Sequence, residues 1–97
     1  MLERDVEAHL VKRVKELGGE CRKVQWLGRN GAPDRLVMLP AIHPKCGCTI
    51  PASVWVELKA PGQKAKPHQV REHARMRAMG QVVLVLDSPE AIDEWFA

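Results

Sequence analysis

The chain contains no apolar run that approaches the length of a bilayer span, so no transmembrane helix is expected. Its opening stretch, Met1–Leu17, is charged throughout, unlike a secretory signal. Cysteine is scarce: there are three, an odd number, with Cys46 and Cys48 separated by a single glycine. That is a poor basis for a disulfide framework and fits a reducing, cytoplasmic setting. Internal repeats and low-complexity tracts are missing too, which leaves a solenoid or a disordered tether without support. The last stretch, Gln81–Ala97, has no base at all, while it holds Asp87, Glu90, Asp93 and Glu94.

What remains is a chain of 97 residues with 45% apolar content, enough for one domain over residues 1–97 with one modest core. A domain this small often gains burial by pairing with a second copy, so a homodimer is expected. The formal net charge is +3, and the excess base is concentrated. Between Glu57 and Gly80 lie Lys59, Lys64, Lys66, Arg71, Arg75 and Arg77 against only Glu57 and Glu72. Such a patch is the footprint of a polyanion-binding surface, although a solvated helix face has the same composition.

The periodicities predict the order helix, three strands, helix, strand, helix, an α/β arrangement. Glu3–Leu17 is an amphipathic helix whose stripe is Val6, Leu10, Val14 and Leu17, widened by Val11, and Gly18-Gly19 stops it. Glu7 lies on the flank of that stripe. Glu20–Trp26 is a short strand, followed by the loop L-G-R-N-G-A-P. Asp34–Leu39 is continuously apolar inside, as for a strand buried on both faces. Pro40–Ser53 reads as a long hairpin loop leading into Val54–Lys59. After a basic loop comes the helix Pro67–Met79, with Val70, Ala74 and Ala78 as its packing stripe, then the strand Gln81–Leu86. Ser88-Pro89 opens a last short helix with Ala91, Ile92, Trp95 and Phe96 on its apolar side. The strands flanking the second long helix should run parallel.

The stretch V-W-V-E-L-K, Val54–Lys59, carries the chemistry. Alternation sends Val54, Val56 and Leu58 to one face and Trp55, Glu57 and Lys59 to the other. Taken alone, Glu57 and Lys59 could be a surface ion pair of little consequence. Asp34, at the entrance of the preceding strand, changes the reading: on adjacent strands its carboxylate would converge with that of Glu57. Two converged carboxylates repel unless a cation lies between them. Oxygen ligands with room for water select Mg²⁺ or Mn²⁺, and the Leu58 carbonyl offers a further oxygen. Lys59 would then orient or deprotonate a water, with the basic loop and helix holding a phosphodiester backbone.

G-A-P-D-R, a gap, V-E-L-K-A-P-G, a glutamine ten residues after the lysine and a leading helix with a central glutamate together resemble the virus-type replication-repair nuclease (VRR-NUC) domain. That family belongs to the PD-(D/E)xK nuclease superfamily, and the resemblance runs from about Asp5 to Phe96. It implies a restriction-endonuclease-like αβββαβα core around a central mixed four-stranded sheet. It also implies that Asp34 and Glu57 ligate the metal, that Lys59 serves the hydrolytic water, that Glu7 lies at the metal site directly or through water, and that Gln69 supports the site. Lys23 and Arg35 match positions often basic in relatives and join Lys64, Lys66, Arg71 and Arg75 as candidate DNA contacts. The implied activity is a Mg²⁺- or Mn²⁺-dependent endodeoxyribonuclease leaving 5′-phosphate ends. It is of the phage or prophage kind, homodimeric and selective for branched DNA in the manner of Holliday-junction resolvases, in replication or repair. A less selective flap or duplex nuclease and a non-catalytic junction-binding module are the alternatives.

The chain departs from the family at about residues 41–53, where relatives close the hairpin with a short glycine-rich turn. Here the segment I-H-P-K-C-G-C-T-I-P supplies His43, Cys46 and Cys48 as at most three zinc ligands, with Cys21 a fourth only if the first strand passes nearby. An extended loop with two reduced cysteines is the simpler reading, and contact with DNA or a second subunit is another. His68 and His73 read as exposed histidines, and Trp26 and Trp55 as core or dimer-interface residues.

Overall fold

Asp5 starts the first helix by accepting the Leu2 N–H at 2.7 Å. In the computed structural model, which describes residues 2–96, helix α1 then runs over Glu3–Glu16. Strands β1 (Glu20–Lys23), β2 (Arg35–Met38) and β3 (Ser53–Leu58) follow, then α2 (Pro67–Ala78), β4 (Val83–Leu86) and α3 (Pro89–Trp95). The strands form one sheet in the order β1-β2-β3-β4, antiparallel except for the parallel pair β3–β4. This is the expected α/β core with a mixed four-stranded sheet.

One face of the sheet carries the core. Val6, Leu10 and Val14 of α1, with Leu17 just past its end, pack with Val37, Val54, Val56, Leu58 and Leu86, and with Ile92 and Phe96 at the chain's end. The helix phase predicted from spacing therefore holds, except that Val11 is 44% exposed and adds nothing to the stripe. Ser88 caps α3 by accepting the Ala91 N–H at 3.1 Å, as its Ser-Pro signature requires.

Three expectations are corrected. β1 ends at Lys23 rather than Trp26, because the chain peels away to lay Trp26 over the other face. There its ring lies 5.1 Å from Trp55 and its Nε1 donates to the Pro33 carbonyl at 2.7 Å. β2 is buried on one face only: Val37 is inaccessible while Leu36 is half-buried and Met38 exposed. In α2 the stripe Val70, Ala74, Ala78 faces solvent, and the buried residues are Glu72, His73 and Met76.

Candidate active site

Backbone pairing brings the expected residues together. β2 and β3 are in register with Arg35 opposite Val56, so one step beyond, at the same end of the sheet, Asp34 stands opposite Glu57. Both carboxylates lie on the face turned toward α2. The parallel partner β4 extends the pairing, since the Lys59 N–H donates to the Leu86 carbonyl at 3.0 Å and holds the strand end in place.

Burial and the Asp34 charge set the electrostatics of this edge. Glu57 is 6% exposed, and desolvation followed by repulsion from Asp34 pushes its carboxyl up to about 7, against a smaller opposing effect of Lys59. Asp34 Oδ1 is buried without a hydrogen-bond partner. A buried carboxylate oxygen with no donor, facing a second carboxylate that resists ionisation, fits a hard divalent cation better than any neutral arrangement. Among the described residues no three His, Cys, Asp or Glu side chains converge as metal ligands. The side chains that would hold a metal are thus the pair Asp34 and Glu57, with remaining positions open to backbone oxygen and water.

Glu7 approaches this edge through an intermediary. Arg35 projects to the α1 side of the sheet, is 9% exposed, and hydrogen-bonds Glu7 through Nη2 while Nη1 lies 2.8 Å from Asp34 Oδ2. Arg35 is thereby turned inward to two carboxylates rather than outward to a polyanion. A solvent-open recess of about 500 Å³ borders it, lined by Lys23, Val24, Gln25, Asp34 and Arg35. Gln69 sits in the first turn of α2, where its Oε1 accepts the Lys66 N–H at 2.8 Å. Lys23, Lys64, Lys66, Arg71 and Arg75 are exposed, with Arg75 also paired to Glu72.

His73, read from sequence as exposed, is 1% exposed, and its Nε2 lies 3.9 Å from Glu57 Oε1. Desolvation, then the neighbouring Arg77, holds its pKa below the usual histidine value, and its ring is hydrogen-bonded to the Gly31 backbone. Gly31 is suited to this approach, since at φ +83° a Cβ would meet the His68 carbonyl oxygen at 2.7 Å. Beside it, Arg29 and Arg75 both engage Glu72, and the Arg29 hydrogen bond holds that carboxyl below its usual range. The glycine loop is thus fastened onto α2 across the face carrying Glu57. The signal for His73 was the strand itself: a face bearing Trp, Glu and Lys needs a partly polar helix surface above it.

The zinc reading of the hairpin is not supported. The Nδ1 of His43 accepts the backbone N–H groups of Lys45 and Cys46 at 3.1 and 3.4 Å, and Cys21 lies in β1, paired with Val37. No helix among the described residues is long and apolar enough to cross a membrane.

No family model matches the chain. It is 47% identical over 88 residues to "Putative nuclease p44" of Acyrthosiphon pisum secondary endosymbiont phage 1, covering 91% of this chain and 85% of that protein. Among solved structures it is similar to a chain described as "VRR_NUC domain", with 39% identity and a TM-score of 0.77, covering 95% of this chain and 90% of that one.

Proposed function

Because the chain belongs to the VRR-NUC family of nucleases, we propose that it is a divalent-metal-dependent DNA endonuclease whose centre is Asp34, Glu57 and the Leu58 carbonyl. Mg²⁺ or Mn²⁺ suits these oxygen donors, and Glu7 contributes through water or through its hold on Arg35. The opposition of Asp34 and Glu57 at the sheet edge carries this reading. When bound, the cation supplies Lewis-acid stabilisation of the charge that develops on the scissile phosphate.

The remaining work falls to the protein's own groups. Lys59 projects from the same strand face as Glu57 and orients the attacking water, whose proton passes to solvent. The water oxygen bonds to phosphorus as the P–O3′ bond breaks, leaving a 5′-phosphate and a 3′-hydroxyl. Arg35 holds Asp34 in place, and Gln69 secures the start of α2 beside the site. His73 shields one side of Glu57 from water. Exposed Lys23, Lys64, Lys66, Arg71 and Arg75 supply phosphate contacts.

Branched DNA is the proposed substrate and a homodimer the proposed active form, since two subunits provide the two cuts that resolve a four-way junction. The setting is DNA replication or repair in the cytoplasm of a host cell, with the gene carried by a phage or prophage. Incubation with labelled four-way junction, flap and linear duplex in Mg²⁺ or Mn²⁺ tests this. Paired symmetric incisions on the junction, with duplex spared, are expected. Equal cutting of duplex would replace junction selectivity with the less selective nuclease, and binding without cleavage in either metal would leave a junction-binding module. Lys59→Ala is expected to lower cleavage by about 100-fold or more with DNA affinity nearly unchanged. A variant that still cuts at the wild-type rate would remove Lys59 from the mechanism.

A further inference from the structure

The segment between β2 and β3 is a hairpin with chemistry of its own. Ile42 pairs with Thr49, the His43 N–H donates to the Cys48 carbonyl at 2.8 Å, and the Ile50 N–H to the Ala41 carbonyl at 2.8 Å. Inside the turn the Gly47 N–H donates to the His43 carbonyl at 2.9 Å. Two further backbone N–H groups, of Lys45 and Cys46, point at His43 Nδ1. Gly47 takes φ +73°, a left-handed conformation in which a cysteine or alanine would be strained.

This turn folds Cys48 back onto the Cys46 sulfur. The Cys48 N–H donates to Cys46 Sγ at 3.3 Å. Both cysteines are free and exposed. With two donors on one sulfur, the hydrogen bond from the Cys48 thiol first and that from its backbone second, the Cys46 pKa falls below the usual thiol value. Cys48, as the donor beside a sulfur that carries charge, is pushed the other way. Cys21 offers an internal contrast: it is half-buried in β1, and desolvation raises its pKa. No third metal-binding side chain joins the two sulfurs among the described residues. Two thiols held in one tight turn without further ligands are suited to exchange with a disulfide rather than to a closed metal site.

We propose that Cys46 and Cys48 form a thiol–disulfide exchange site that accepts small, solvent-borne disulfides, with Cys46 as the attacking sulfur and Cys48 as the resolving one. The Cys46 thiolate attacks one sulfur of the small disulfide, forming a mixed disulfide and expelling one small thiolate. Cys48 then loses its proton to solvent and attacks Cys46 Sγ, closing the intramolecular bridge and expelling the second thiolate. Two electrons pass from the cysteine pair to the small disulfide, whose two halves leave reduced. The hairpin lies at the opposite end of β2 and β3 from Asp34 and Glu57, so the proposal does not depend on the nuclease reading.

The test uses the full-length chain, fully reduced, incubated with glutathione disulfide at neutral pH, acid-quenched at intervals and followed by intact and peptide mass spectrometry. The wild type is expected to lose the mass of two hydrogens, with the bridge mapped to Cys46–Cys48 and Cys21 reacting about tenfold more slowly. Cys48→Ser is expected to retain one glutathione on Cys46, and in Cys46→Ser the remaining Cys48 should react about tenfold more slowly than Cys46 does. Glutathione accumulating on both sulfurs of the wild type, a disulfide between two chains, or first reaction at Cys21 would overturn the site. Equal rates in the two single variants would overturn the assignment of attacking and resolving sulfurs. Because both side chains are exposed, neither variant removes core contacts, and the wild-type mass change stands without them.

Discussion

Glu57 is a carboxylate on a strand whose other face is core, and its burial has a measurable consequence for stability. In the folded, metal-free chain it keeps its proton up to about pH 7, whereas an unfolded glutamate releases it near 4.5. Between these values the folded state holds more protons, so stability falls as pH rises from 4.5 through 7, by about 3 kcal/mol. His73 acts in the opposite sense below about 6.5, because its buried ring refuses a proton that the unfolded chain accepts. The difference between wild type and Glu57→Gln isolates the carboxyl: in chelator, the variant should be the more stable above pH 7, with the gap closing toward pH 4.5. Urea unfolding across that range reads it, and parallel curves would mean that Glu57 is not desolvated. Adding Mn²⁺ at pH 8 should raise the wild-type midpoint and leave that of Glu57→Gln nearly still. At this scale the sequence was legible where chemistry follows strand alternation, as for Glu57 and Lys59. It was not legible for Arg35, whose basic position is spent on Glu7 and Asp34 inside the fold.

The two long helices show how far periodicity reaches. α1 has large side chains at helical spacing against a sheet face that is apolar apart from Arg35, so its buried stripe is the one its sequence displays. Leu10→Ala should cost about 3 kcal/mol, while Val11→Ala, one position away, should stay within about 0.5 kcal/mol. α2 lies over Trp55 and Glu57; there Arg29 and Arg75 satisfy the buried Glu72, and the Gly31 backbone holds the His73 ring, whose Nε2 is left without a hydrogen-bond partner beside Glu57. Its weak stripe of Val70, Ala74 and Ala78 is left to solvent. Met76→Ala should therefore cost about 2 kcal/mol and Val70→Ala about 0.5 kcal/mol or less, read from thermal or urea midpoints. The reverse order in either helix would mean that its phase is wrong. β2 was over-read for a related reason, since a continuous apolar run cannot tell a strand buried on two faces from one whose second face is open.

Across the molecule, charge is segregated along the chain. The bases of the loop and helix that follow β3 come directly after the strand carrying Glu57, and Glu90, Asp93 and Glu94 lie on α3, on the opposite face of the sheet. If the exposed bases meet DNA phosphates, the combined variant Lys64→Ala, Lys66→Ala, Arg71→Ala should flatten the plot of log affinity against log salt by about three units on duplex DNA. An unchanged slope would remove this surface from the DNA contact. Solution mass with and without a four-way junction tests the homodimer, and a monomer under both conditions would argue against it. The order of elements, the parallel β3–β4 pair and the facing of Glu57 and Lys59 were all determined by the sequence itself, because each follows from local periodicity and chain connectivity. Tertiary structure alone decided that His73 abuts Glu57, that Arg35 joins Glu7 to Asp34, and that α2 buries its polar side. Those outcomes depend on which distant segments meet and on which buried charges find partners when they do, and no local pattern carries that information.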